Sequence, residues 1–135
     1  MKIILDVMGG DNPPAEIIKG AVLAKKELGI DITLVGDENI ISATLSAEGE
    51  CIGDYGIIAS DCVVEMEDNP LCIVQKKKNS SMGAALRALA NGEGDAVVSC
   101  GNTGALFTGA TLIVHRVPGL RRAALGTVLP YTNNV

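Results

Sequence analysis

Three short segments carry residues whose types and spacing suit chemistry on an anionic or carbonyl-bearing reactant. The first is Lys76-Lys77-Lys78-Asn79-Ser80-Ser81. Serines directly after cationic side chains read as a helix start, where free backbone amides and the positive end of the dipole favour an anion such as phosphate. Adjacent lysines point in different directions, so one or two of them can serve a ligand and the rest are solvated. The same residues also fit a plain capped helix with exposed lysines. The second segment, Gly101-Asn102-Thr103-Gly104, lets backbone approach a ligand closely and adds an amide and a hydroxyl as orienting donors. Without a ligand it reads as a helix cap made by Asn102 or Thr103. The third, Met8-Gly9-Gly10-Asp11, is a similar turn in which Asp11 either caps the next helix or positions a reactant.

Other reactive side chains carry less. Cys100 stands at a predicted strand end where a thiol can accept an acyl group, yet no base partner accompanies it, and small buried cysteines are common. His115 near the end of an apolar helix suits packing or a dipole contact. Arg116, Arg121 and Arg122 form a basic cluster that docks an acidic partner or simply solvates a helix end. Cys51, Cys62, Cys72 and Cys100 lack the close pairs of a zinc site or a redox dithiol, so no metal is expected. Neither glycine pattern completes a dinucleotide fingerprint or a nucleotide loop ending in Gly-Lys-Ser, so no cofactor is expected either.

Elements must hold these segments in place. Ile3-Ile4-Leu5 predicts a strand, and Asp11-Asn12-Pro13-Pro14 supplies capping and first-turn residues for a helix from Ala15 to Leu28, closed by Gly29. A β-rich run over 31–36 leads into a helix from Asp37 to about Ala47. Gly56-Ile57-Ile58-Ala59 and Cys62-Val63-Val64 read as two short strands or one broken one. Asp68-Asn69-Pro70 starts one or two helical turns over Leu71 to Lys76. Met82, Ala85, Leu86, Leu89 and Ala90 recur at helical spacing and form a core stripe. Ala96-Val97-Val98-Ser99 is a buried strand, followed by an apolar helix to about Val117 and a further strand over Ala123 to Leu129. Strands alternating with helices imply a mostly parallel sheet covered on both faces, with ligand sites beyond the carboxyl ends of the strands.

Composition sets the outer bounds. The chain has 135 residues, 47% apolar and 20% charged, which supports one modest α/β core joined by glycine turns. A net charge of −5 and three aromatic residues argue against nucleic-acid binding. Asp6 and Asp11 interrupt the opening apolar run, which excludes a leader peptide there and points to the cytoplasm. The longest apolar run, Ala105 to Val114, falls well short of the roughly 20 residues a membrane span needs.

Taken in order, Asp6-Val7-Met8-Gly9-Gly10-Asp11, Leu34-Val35-Gly36-Asp37, Lys77-Lys78-Asn79-Ser80-Ser81-Met82, Gly101-Asn102-Thr103-Gly104-Ala105 and Thr127-Val128-Leu129-Pro130 resemble the bacterial phosphate acyltransferases of phospholipid synthesis. The resemblance covers practically the whole chain. It implies a three-layer α/β sandwich akin to the isocitrate and isopropylmalate dehydrogenases, with residues 1–135 the amino-terminal portion of one domain. The implied reaction moves a fatty acyl group from an acyl carrier protein thioester to inorganic phosphate, giving acyl phosphate. Lys78 with Asn79, Ser80 and Ser81 would cradle phosphate. Asn102 and Thr103 would orient the phosphate or the carbonyl, and Gly9, Gly10, Asp11, Gly101 and Gly104 would shape the cleft. A homodimer with peripheral association at the inner face of the cell membrane is also implied. The alternatives are a related phosphate acetyltransferase or dehydrogenase, or a non-catalytic anion- or protein-binding fragment. Val7 and Cys100 depart from the Ala that the family more often carries, and the tail Tyr131 to Val135 departs from its pattern. Family members are also more than twice this length.

Overall fold

A computed structural model describes residues 1–127 of the chain. Four strands, β1 (Lys2–Asp6), β2 (Asp31–Gly36), β3 (Gly56–Ala59) and β4 (Ala96–Ser99), form one all-parallel sheet in the order β3-β2-β1-β4. Helices α1 (Ala15–Leu28), α2 (Glu38–Ala47), α3 (Ser81–Ala90) and α4 (Thr103–Gly109) cover it on both faces, so the expected α/β architecture is present. The register is continuous across β1: Ile3 pairs with Ile32 on one side and with Ala96 on the other.

The strand alternation divides the core. Leu5, Val7, Ile32 and Leu34 pack with Ile18, Val22, Ile41 and Leu45 of α1 and α2 on one face. Ile4 and Val35 meet Ala85 and Ala88 of α3 on the other. A third cluster joins Met82 and Leu86 of α3 to Val64, Ile73 and Ala105. The period-2 pattern of β1 and β2 and the 3.6-residue stripe of α3 therefore point at one another, and nearly all of these side chains are removed from water.

Local chemistry explains most boundaries. Gly29 ends α1 at φ +62°, and the Asp37 carboxylate accepts from the amides of Asn39 and Ile40 to start α2. Asn69 caps a 3₁₀ turn over Pro70–Val74, shorter than the helix expected to Lys76. Asp11 does not cap α1: Pro14 holds the cap position with no side-chain bond, because the carboxylate lies four residues upstream of Ala15. Cys62-Val63-Val64 forms no strand; a single bridge from Cys62 to Ser80 is all that pairs there. The apolar helix ends earlier than Val117, widening into a π turn over Ala110–Val114 that stops at His115, a non-glycine residue at φ 72°. No strand forms over residues 123–127, and the remainder of that expected strand, with Pro130 and the tail, lies outside the described residues.

Beneath α1, Tyr55 is buried with its hydroxyl 3.3 Å from Glu50 and the Lys25 ammonium 4.1 Å from its ring centroid. Burial, reinforced by the Glu50 carboxylate, pushes the phenol up to about 12. An unfolded phenol ionises near 10, so between about pH 10 and 12 the unfolded chain holds fewer protons and stability falls as pH rises. An absorbance titration should show a phenolate component with a midpoint near 12, absent from Tyr55→Phe.

Candidate active site

Strand β1 is where the chain changes direction. It leaves β1 through α1 on one face of the sheet and returns to β4 from α3 on the other, which opens a crevice at the carboxyl ends of β1 and β4. The two glycine loops meet there. A Cβ on Gly9 would sit 2.8 Å from both Cα and N of Gly101, so the backbones touch without room for any side chain. Gly10 takes φ +109°, and a Cβ on Gly101 would lie 3.0 Å from the Met82 methyl, which brings the first turn of α3 against the same point.

The floor of this junction is Asp6, a residue that spacing alone did not single out. It is 1% exposed at the end of β1. Its Oδ2 accepts from Ser99 Oγ at 2.7 Å and its Oδ1 from the Met8 amide at 3.2 Å, while the Gly101 amide donates to Ser99 Oγ at 3.2 Å. One carboxylate thus ties the first glycine loop to the second. The signal available in the sequence was a charged residue at the end of an otherwise apolar strand.

Above it lies a cleft of about 210 Å³, lined by Met8, Gly9, Gly10, Val64, Glu65 and Gly101 among others. At roughly 30 Å³ per liquid water, that is room for a few small groups rather than a fatty chain. The lining holds one charged residue, Glu65, and no cation. Its chemistry therefore suits a neutral carbonyl or amide better than a bare anion.

The remaining expected residues fall outside this lining. Asn102 is 7% exposed and fully engaged: its Oδ1 accepts from the Ala105 amide at 2.9 Å, capping α4, and its Nδ2 donates to the carbonyls of Glu65, Met66 and Asp68 at 3.0 to 3.3 Å. Thr103 is exposed on the first turn of α4, and Gly104 packs so closely on Pro70 that a Cβ would lie 2.8 Å from its Cγ. Asp11 is exposed. Ser80 caps α3 by accepting from the Gly83 amide at 3.2 Å, the Ser81 amide donates to the Cys62 carbonyl, and the Ser81 hydroxyl is buried without a partner among the described residues. Asn79 is exposed with its amide 3.4 Å from Asp61.

The lysine run divides by role. Lys77 Nζ lies 2.5 Å from Asp68 Oδ2 and donates to the Val63 carbonyl at 2.8 Å, whereas Lys76 and Lys78 are exposed. The Lys77 ammonium, with help from the Glu65 amide, holds the Asp68 carboxyl below its ordinary range. A lowered carboxylate contributes stability above its unfolded value, near 3.9, and loses it as pH falls through the folded one. Lys77→Met should therefore lower the urea midpoint at pH 7, and the gap from the parent should close on acidification below about pH 4. Lys78→Met should leave the midpoint unchanged at both pH values.

A family model described as fatty acid synthesis protein matches residues 1–135. A protein of Desulforamulus reducens named phosphate acyltransferase is 44% identical over 135 residues, covering 100% of this chain and 40% of that protein. Proteins of the same name from Thermotoga maritima and Nostoc punctiforme are 45% and 38% identical over 130 residues, each covering 96% of this chain, and 37% and 38% of their own lengths. The chain thus spans about two fifths of the length of these curated relatives.

Proposed function

The chain belongs to the fatty acid synthesis protein family, and on that premise we propose that it serves acyl transfer from an acyl carrier protein thioester to inorganic phosphate. The observation that carries this reading is the family match over residues 1–135, shared with relatives named phosphate acyltransferase. In the reaction a phosphate oxygen attacks the thioester carbonyl carbon, a tetrahedral oxyanion forms, and the carbon–sulfur bond breaks. Acyl phosphate and the carrier thiolate result. A thiolate is a stable leaving group near neutral pH and needs little acid assistance, so catalysis rests on holding the reactants together and stabilising the oxyanion.

The geometry supports a division of labour. Lys78, exposed just before α3, meets phosphate; Lys77 is committed to Asp68 and is not its ligand. The uncharged wall of Gly9, Gly10 and Gly101 takes the neutral thioester end of the carrier arm. The Thr103 hydroxyl and the Asp11 carboxylate, both exposed beside the two loops, orient the reactants. Asn102 contributes indirectly, by fixing the loop from Glu65 to Asp68 that forms the other wall. Homodimer formation, residence in the cytoplasm and contact with the inner membrane face belong to the same proposal; among the described residues no helix is long and apolar enough to cross a membrane.

The test is phosphate-dependent release of carrier thiol from acyl carrier protein thioester, with acyl phosphate trapped from the same sample and the intact mass recorded. Thiol release that requires phosphate and yields acyl phosphate supports the reading. Carrier binding with no thioester loss favours the second one, a non-catalytic module that holds an acidic carrier through Arg116, Arg121 and Arg122, which are exposed together after the last helix.

A further inference from the structure

The cleft at the glycine junction is too small for a fatty chain, but a larger hollow adjoins it. On the α1 face of the sheet a groove of about 580 Å³ runs between Ile17, Gly20 and Ala24 of α1 and Leu5, Ile32 and Val98 of the strands. At roughly 30 Å³ per water-sized group, and a methylene is of similar size, it holds about 19 such groups, enough for a chain of about 16 carbons. Among the described residues Glu16 is the one charged side chain in its lining, and that carboxylate is held by Lys19 Nζ at 2.8 Å. Val98 is 46% exposed and Ile17 and Ala24 are half-buried, so apolar surface here lies open to water. The groove reaches the glycine junction. Cys100 lines it, and a Cβ on Gly10 would lie 3.2 Å from Cys100 Cβ and 3.8 Å from Ile17 Cδ1. Gly10 also lines the cleft, so the two hollows adjoin across a residue without a side chain. The other large apolar hollow, about 440 Å³ on the α3 face, touches none of residues 8–11 or 100–104.

We infer that this groove takes the acyl chain of the thioester, laid from Gly10 along α1, and that Gly20 sets how long a chain it accepts. The choice of occupant rests on the proposed reaction, which places a thioester against Gly9, Gly10 and Gly101 and leaves its chain to be housed. A chain turned to solvent gains nothing from its length, whereas each methylene buried here strengthens binding about fourfold. Gly20 lies inside α1 with Ile17 and Ala24 one turn away on the same helix face, and nothing lies within 4 Å of a Cβ added to it. A leucine at that position would enter the groove without meeting backbone and would take the space of a comparable length of acyl chain.

The experiment first titrates the chain with cis-parinaric acid, a fatty acid that fluoresces in an apolar site, with neither carrier nor phosphate present. One probe should bind per chain, palmitate should displace it, and hexanoate at the same concentration should not. Gly20→Leu should weaken the probe at least tenfold, while Leu23→Gln, at an exposed α1 position outside the groove, should bind it as the parent does. Phosphate-dependent thiol release is then compared for palmitoyl and hexanoyl carrier protein, and Gly20→Leu should lower the palmitoyl-to-hexanoyl ratio at least tenfold. A parent that binds no probe overturns the inference, including one whose groove is shut by a second copy of the chain. Equal probe binding by Gly20→Leu, or thiol release with an unchanged ratio, also overturns it and leaves the proposed reaction standing. Probe binding that Gly20→Leu weakens, with no thiol release from either carrier, upholds the groove as a fatty-chain site and counts against the reaction.

Discussion

Gly9→Ala is expected to lower folding stability by about 3 kcal/mol, the upper end of what overpacking usually costs. Its Cβ would fall 2.8 Å from backbone atoms of Gly101, and backbone cannot swing aside as a long side chain can. The two loops must separate, which pulls Asp6 away from either Met8 or Ser99. Urea unfolding measures the loss. Gly20→Ala is the control: nothing lies within 4 Å of its added Cβ in the interior of α1, so it should gain about 0.5 to 1 kcal/mol. Under the proposed reaction, Gly9→Ala also loses phosphate-dependent thiol release. A variant as stable as the parent would mean that the loops do not touch.

Asn102→Ala should cost a similar amount, for a different reason. About 1 kcal/mol goes with the α4 cap, and about 2 kcal/mol with the two Nδ2 hydrogens that the Glu65, Met66 and Asp68 carbonyls share. Asn102→Asp separates the two contributions. Its carboxylate still caps the Ala105 amide but offers no donor, and it faces three carbonyl oxygens. Exchange at the Ala105 amide should stay slow in Asp and become fast in Ala, while both variants free the loop to proteolysis near Glu65. Slow cleavage there in both variants would show that Lys77 alone holds the loop.

These cases mark what the residues disclosed by themselves. The alternation of strand and helix was legible because it depends on neighbours a few residues apart: the Ser80 cap, the stripe from Met82 to Leu89 and the Gly29 stop are all local. The placement of both glycine loops at the strand ends followed from that alternation. The division among the lysines did not, since Lys77 is distinguished from Lys78 only by Asp68 and the Val63 carbonyl, which reach it through the fold. From its neighbours alone Asn102 is equally a ligand or a cap; its clamp on a loop 34 to 37 residues away has no sequence period to betray it. Cys62 to Val64 has strand-forming residues, but β3 ends at Ala59 and Ser80 offers only one bridge, so tertiary context overrides propensity.

The junction of Asp6 with Ser99 spans 93 residues of chain, whereas β1 reaches β2 across about thirty. Closing the longer loop costs about 1 kcal/mol more in chain entropy, so β1, β2 and β3 have reason to assemble first. During synthesis the order is stricter still. Until Ser99 has left the ribosome, the nascent chain carries a carboxylate at Asp6 with no hydroxyl to meet it and a Gly9 turn with nothing to rest on. The crevice between the loops is thus a late product of translation, and a polypeptide halted before β4 would hold three strands and no site.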